Sequence, residues 1–416
     1  MKFFKIDGLS RKCISVIFVL KIASGIVMFV IYTYYYTNRS TADIFKYFDD
    51  GNIMYSALSE KPSDYIKMIT GIGNDNPHFD LYYAKMNNWY RQYESTMYND
   101  NHTIIRFNAF VRIFSFGYYN VHSIFMNFLS LIGLLAIYKF FIQFLPDKKK
   151  EILFAVFFLP CVIFWGSGVL KEGLLIFGSG LLIYYFNEII NKRKIIKGLI
   201  CIFISFVLLL YTKCYILFIL IPLLIAYLWA EKTNHKNVLL KYTGILIFFL
   251  LIILNIKYIF PEYDVLQILA TKQNDFINLA QSLNSGSIIK VNILRPDFFN
   301  ILINSPKAFL NTLLRPHLFE SFSLFTLLSA IENLLILVIG IIALFFIKIR
   351  GINKNLLVFS LFFVLITFIL IGLTTPVFGA IVRYKIPALP FLIIIFIMIF
   401  DKEKFLKKFQ KKIIKF

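Results

Sequence analysis

Long apolar runs alternate with short basic segments along this 416-residue chain. A membrane span needs about 20 apolar residues, and on that criterion the pattern predicts roughly ten of them. They are Cys13–Tyr36, Tyr118–Leu145, Ile152–Gly166, Gly173–Phe186, Ile195–Tyr211, Tyr215–Ala230, Val238–Ile259, Phe322–Ile347, Asn355–Gly372 and Ile386–Phe400. The first run is too long for a signal-peptide core and lacks a small-residue cleavage site, so it reads as a retained span. Two longer, more polar segments interrupt the series, about 38–117 and about 260–321. In the first, Ile104–Phe114 repeats apolar residues at helical spacing with Arg106 and Arg112 off that face, the pattern of a helix lying in the membrane interface. The pattern predicts one integral membrane domain over 1–416, all-α and polytopic, with no internal repeat and no soluble domain.

Charge orients the series. Lys2, Lys5, Arg11 and Lys12 precede the first run; Lys148–Lys150, Lys192–Lys194, Lys232 with Lys236, and Lys348, Arg350 with Lys354 follow the second, fourth, sixth and eighth. The basic tail 401–416 follows the tenth. All of these fall in the cytoplasm if the N-terminus is inside, as the positive-inside rule requires. Both termini are then cytoplasmic, and segments 38–117 and 260–321 are extracytoplasmic. The tail alternates Lys with Phe, Leu and Ile, which suits anionic lipid.

Composition agrees with this reading. The chain is 59% hydrophobic, against about 45–50% for soluble domains. A net charge of +21 would suggest nucleic acid in a soluble protein, but here the excess lies in cytoplasmic loops. Cys13, Cys161, Cys201 and Cys214 form no CxxC, so neither a disulfide framework nor a zinc site is suggested. His78, His102, His122, His235 and His317 show no metal-ligand spacing.

Candidate chemistry comes from charges that break the pattern. Lys171 and Glu172 are the only charged residues between Glu151 and Glu188, and charge at membrane depth is expensive enough to face a cavity, partner or substrate. Ile152–Gly166 would rise only about 22 Å as a helix, short of the ~30 Å hydrocarbon core. The turn Gly166-Ser167-Gly168 is therefore expected below the outer surface, with Lys171 in the first turn of the next helix, where an anion binds well. The competing reading is an interfacial turn whose charges snorkel to water. Lys213 sits at the apex of the next hairpin, Tyr211-Thr212-Lys213-Cys214-Tyr215. Asp43, Asp49 and Asp50 follow the first span; paired acids suit a general base or metal-assisted role, and the competing reading is a capping and turn cluster at Asp50-Gly51. Arg315 and Glu320 precede the eighth span, Glu332 lies within it, and Arg383, Tyr384 and Lys385 open the tenth. Two cations at the membrane lip suit phosphate.

These residues resemble the GT-C superfamily of membrane glycosyltransferases, which use polyprenyl-phosphate-linked sugars. In that superfamily an Asp just after the first span is catalytic, and Asp49 or Asp50 in Tyr47-Phe48-Asp49-Asp50 holds that place here, with Asp43 slightly upstream. Interfacial helices in that loop are typical, and Ile104–Phe114 is similar to one. Arg383-Tyr384-Lys385-Ile386-Pro387 resembles the Arg-Tyr-x-x-Pro near the final spans of many members. Trp165-Gly166-Ser167-Gly168 with Lys171-Glu172 resembles bacterial envelope-polysaccharide proteins of this group. The chain departs from the pattern in having no large C-terminal soluble domain and adjacent rather than spaced loop acids. No cofactor is called for, and a divalent metal at the loop acids stays open.

The resemblance implies a multi-pass protein of the bacterial cytoplasmic membrane that transfers a sugar from a polyprenyl-phosphate donor to a lipid-linked or surface glycan outside. Asp49 or Asp50 would act as base. Lys171, Lys213, Arg315, Arg383, Tyr384 and Lys385 would hold the donor phosphate, and Glu172, Glu320 and Glu332 would orient these cations or bind sugar hydroxyls. The alternatives are a repeat-unit polymerase joining two lipid-linked glycans, and a lipid or polysaccharide transporter, which needs a midplane site reachable from both sides.

Overall fold

The computed structural model describes residues 2–90, 98–233, 236–282, 286–321, 323–348 and 350–413. His235, Phe322 at the head of the eighth expected span and the tail end 414–416 lie outside them. In chain order the helices are α1 Arg11–Tyr34, α2 Asp43–Glu60, α3 Pro62–Thr70, α4 Asp80–Tyr83, α5 Asn101–Ser115, α6 Tyr119–Ile142, α7 Lys149–Phe157, α8 Pro160–Trp165 and α9 Lys171–Ile190. Then follow α10 Ile195–Lys232, α11 Val238–Asn255, α12 Val265–Ser282, α13 Phe298–Leu314, α14 Leu324–Phe345, α15 Lys354–Thr374, α16 Phe378–Tyr384, α17 Leu389–Ile399 and α18 Lys402–Ile413. Among the described residues there is no β-strand, only isolated bridges.

Among the described residues, seven helices are long and apolar enough to cross a membrane, or eight if the bent pair α16–α17 counts as one span. Their outward faces are apolar: on α14, Leu328, Ile331, Leu334 and Leu335 are all exposed. Apolar surface on that scale is stable against lipid rather than water, so the chain is a multi-pass membrane protein.

The expected ten runs map onto fewer unbroken helices for local reasons. The run Ile152–Gly166 divides into α7 and α8 at Phe158–Leu159, where Pro160 disfavours helix for the residue before it. The two runs on either side of Lys213 fall in the single stretch α10, which loses helical geometry at Lys213 (φ −150°, ψ 79°). Unbroken, its 38 residues would extend about 57 Å, nearly twice the hydrocarbon core. The break leaves arms 195–212 and 214–232, each close to one bilayer thickness.

The chain forms two compact units, one of residues 1–93, 97–140 and 160–217, the other mainly 141–159 and 218–416. In the first, α2, α3 and α5 share a core of Phe45, Phe48, Met54, Met68, Ile104, Ile105 and Ala109, which continues to Met28 of α1 and Met126 of α6. Beyond it, α6 and α9 meet backbone to backbone: a Cβ on Gly180 would lie 2.2 Å from the Gly133 carbonyl oxygen, the small-residue contact typical of membrane helices. In the second unit, α15 packs on α13, α17 and α12, and Phe391 of α17 meets Phe141, Phe359 and Phe363.

The helix expected over Ile104–Phe114 is α5. One face buries Ile104, Ile105, Asn108 and Ala109 against α2, while Phe110, Ile113 and Phe114 are exposed. Arg106 donates to the Met68 carbonyl at 2.9 Å and lies over the Trp89 ring. Asp50 and Gly51 lie inside α2 rather than in a turn.

Candidate functional site

The site in the first unit begins with the break between α8 and α9. A helix end leaves carbonyls without partners, and inside a membrane each must find a donor in the protein. Lys21 of α1, only 1% exposed, gives its Nζ protons to the Gly166 carbonyl at 2.9 Å and Ser167 Oγ at 3.2 Å. Ser123 and Asn127 of α6 both donate to the Ser167 carbonyl, at 3.0 and 3.1 Å. The turn comes close to α1 at Gly25, where a Cβ would lie 2.8 Å from the Ser167 oxygen. Gly25 is nine residues from the end of α1, about 14 Å of helix. The hairpin turn thus packs against α1 well short of that helix's end.

From this turn Lys171 opens α9. Its ammonium pairs with Asp100 Oδ1 at 3.0 Å, donates to Asn101 Oδ1 at 2.8 Å and lies 5.4 Å from the Tyr47 ring centre. Lys213 arrives from the α10 break and pairs with the other oxygen, Asp100 Oδ2, at 2.9 Å. The break leaves room beside it for the Thr103 hydroxyl, which donates to the Tyr211 carbonyl at 2.7 Å. Tyr47 OH donates to Asn101 Oδ1 at 3.1 Å. Asp43, first residue of α2, lies within electrostatic reach of Lys171. Glu172 is buried in the same first turn of α9.

Asp100 ends the loop before α5. Burial would raise its pKa, but the adjacent charges of Lys171 and Lys213 outweigh that and hold its carboxyl well below the usual carboxylate range. Two ammonium groups thus meet on one carboxylate, with Asp43 a second acid within electrostatic reach.

The loop acids divide. Asp50 is fully buried, and its two oxygens accept the backbone N–H groups of Asn87 at 2.7 Å and Asn88 at 2.9 Å. Burial pushes its carboxyl up to about 6 against the opposing pull of those two bonds, and the neighbouring Asp49 adds to the rise. Asp49 is one third exposed (33%) and forms a two-point pair with Arg39, at 2.6 and 2.8 Å. No group of three or more His, Cys, Asp or Glu is placed to hold a metal ion among the described residues. Asp49 and Asp50, where a divalent metal stays open, spend their oxygens on Arg39 and on the Asn87–Asn88 backbone.

The second unit holds the other sequence candidates. Arg315 pairs with Glu320 at 3.2 Å, and His317 reaches the same carboxylate at 3.2 Å. Lys385, buried at the bend between α16 and α17, donates to Asn333 Oδ1 at 2.6 Å, and Asn333 donates to the Pro316 carbonyl at 3.0 Å. Glu332 and Arg383 are buried. The Arg383 guanidinium lies 5.8 Å from the Tyr384 ring centre, and that ring meets Phe276 edge-on.

Two residues of the first-unit site escape the sequence reading. Lys21 carries the signal that exposes Lys171, a lone charge inside an apolar run. Asp100 carries almost none: it lies in the polar string Asn99-Asp100-Asn101, and its position just before a helix is where any acid is common. No protein-family model, curated protein or solved structure matches the chain.

Proposed function

We propose that the chain is a membrane glycosyltransferase of GT-C type, taking a sugar from a polyprenyl-phosphate carrier to a lipid-linked or surface glycan on the extracytoplasmic face of a bacterial cytoplasmic membrane. The observation that carries this reading is the convergence of Lys171 and Lys213, from two separate helix breaks, on one carboxylate beside the span ends. Helix breaks inside a membrane line cavities or binding sites, and paired ammonium groups suit a phosphate held at such a depth.

The chemistry follows from the charges. The acceptor hydroxyl oxygen bonds to the sugar's anomeric carbon, the bond from that carbon to the phosphate oxygen breaks, and its electron pair leaves with polyprenyl phosphate. Lys171 and Lys213 stabilise the charge growing on that phosphate. The acceptor's proton goes to a carboxylate. Asp50 is fully buried on backbone N–H groups and Asp100 is held by two lysines, whereas Asp49 is partly exposed and its partner is the exposed side chain of Arg39, which can move aside; Asp49 takes that role, with Asp43 as the other candidate.

The test is complementation of a deletion strain. Lys171→Ala, Lys213→Ala and Asp49→Asn are each expected to abolish assembly of the glycan while the protein still reaches the membrane. Intact assembly in all three would remove this mechanism. A polymer ladder collapsing to single repeat units would favour the polymerase, and lipid movement by the purified protein without a glycosylated product would favour the transporter.

A further inference from the structure

The two-lysine site is already filled by an anion of the chain itself. We infer that Asp100 is an internal stand-in for a phosphate group: it occupies the Lys171–Lys213 pair in the resting protein and yields it to a phosphate-bearing ligand. This rests on the reading of that pair as a phosphate site.

Three features carry it. Lys171 and Lys213 grip different oxygens of the one carboxylate, at 3.0 and 2.9 Å. Two terminal oxygens of a phosphate stand at nearly the same separation, so one group can follow the other with little movement of either ammonium. Asp100 is also the most exposed of the three, with its side chain 17% exposed against 6% and 8% for the lysines. Finally, the lysines are held by more than Asp100. Asn101 Oδ1 and the Tyr47 ring position Lys171, and the α10 break positions Lys213. The Asp100 side chain makes no capping bond to α5.

The consequence is selectivity. A carboxylate in place is a fair match for any singly charged anion, which gains little by displacing it. The sugar-loaded carrier is a phosphodiester with one charge, whereas the phosphomonoester left when the sugar departs carries close to two charges and a third oxygen, and answers both ammonium groups more fully. The pair thereby holds the departing carrier phosphate more firmly than it holds common monoanions. Asp43, within electrostatic reach of Lys171, trims the surplus positive charge and reinforces that threshold.

The experiment is a binding titration of the purified full-length protein in lipid nanodiscs with farnesyl phosphate, inorganic phosphate, farnesol and acetate. Asp100→Asn is expected to bind farnesyl phosphate severalfold more tightly than the wild type and to gain affinity for acetate. Equal or weaker binding by Asp100→Asn would mean that Asp100 organises the lysines rather than standing in for a ligand, and would overturn the inference. Tightening towards farnesyl phosphate alone assigns the ligand to a lipid headgroup; equal tightening towards inorganic phosphate assigns it to the free ion. If Asp100→Asn does not fold, carbodiimide labelling of wild-type Asp100, mapped by mass spectrometry, gives the answer. Labelling that rises on adding farnesyl phosphate supports displacement, and unchanged labelling overturns it. Undiminished farnesyl phosphate binding in Lys171→Ala and Lys213→Ala would instead sink the underlying phosphate-site reading, a distinct failure.

Discussion

Lys21 and Lys171 are both buried, both lysines, and both act at the same hairpin, yet their partners differ in kind. Lys21 meets only neutral oxygens among its hydrogen bonds, the Gly166 carbonyl and Ser167 Oγ. Lys171 meets a carboxylate that it shares with Lys213. A lysine on a backbone carbonyl and the neighbouring hydroxyl answers the unsatisfied end of α8 and has nothing to exchange, because removing that carbonyl would unmake the turn. A lysine on a partly exposed side-chain carboxylate can change partner without disturbing any backbone. Burial of a charge therefore does not by itself mark a site; the replaceability of its partner does.

Substitutions can break or sharpen that contrast. The largest effect is expected on function: Lys171→Ala and Lys213→Ala should each lower glycan output by about 10²–10³-fold, the scale of a lost transition-state charge donor, as read by complementation at matched membrane levels. Next comes a pH effect on stability in α2. The Asp50 carboxyl is raised from 3.8 to about 6 on folding, so the folded chain holds that proton more tightly than the unfolded one. Its contribution is fully present below pH ~4 and is lost as pH rises to ~6, amounting to about 3 kcal/mol at most. A thermal scan of the wild type should show that decline and Asp50→Asn should lack it; parallel curves would contradict the assignment. Smaller again is Lys21→Met, expected to cost about 2 kcal/mol by leaving the Gly166 carbonyl short of a donor. Activity per folded molecule should be retained, and a full loss of function in well-folded protein would erase the distinction between the two lysines. Smallest is Arg39→Ala, which breaks an exposed pair and should shift stability by less than ~1 kcal/mol.

Much of the architecture was legible because spans advertise themselves as apolar runs of the right length. Hydropathy divided the α10 region at Tyr211–Tyr215, where its helix breaks at Lys213, but did not show that the run Ile152–Gly166 divides ahead of a single proline. Lys171 and Lys213 were legible because charge stands out against apolar neighbours. Asp100 was not, because an acid among asparagines carries no contrast, and its meaning comes wholly from lysines far along the chain. Asp49 and Asp50 were legible as a pair but not as individuals. Successive residues on a helix point about 100° apart, and only the packing of α2 decides that Asp50 turns inward to the Asn87–Asn88 backbone while Asp49 faces Arg39.

The central claim is that Lys171 and Lys213 form a phosphate site whereas Lys21 belongs to the scaffold. A farnesyl phosphate titration of purified wild type, Lys171→Ala, Lys213→Ala and Lys21→Met, each corrected for its folded fraction, tests it most directly. The account predicts saturable binding in the wild type and Lys21→Met and loss of it in the other two. Equal binding by all four proteins, or loss in Lys21→Met alone, would contradict it.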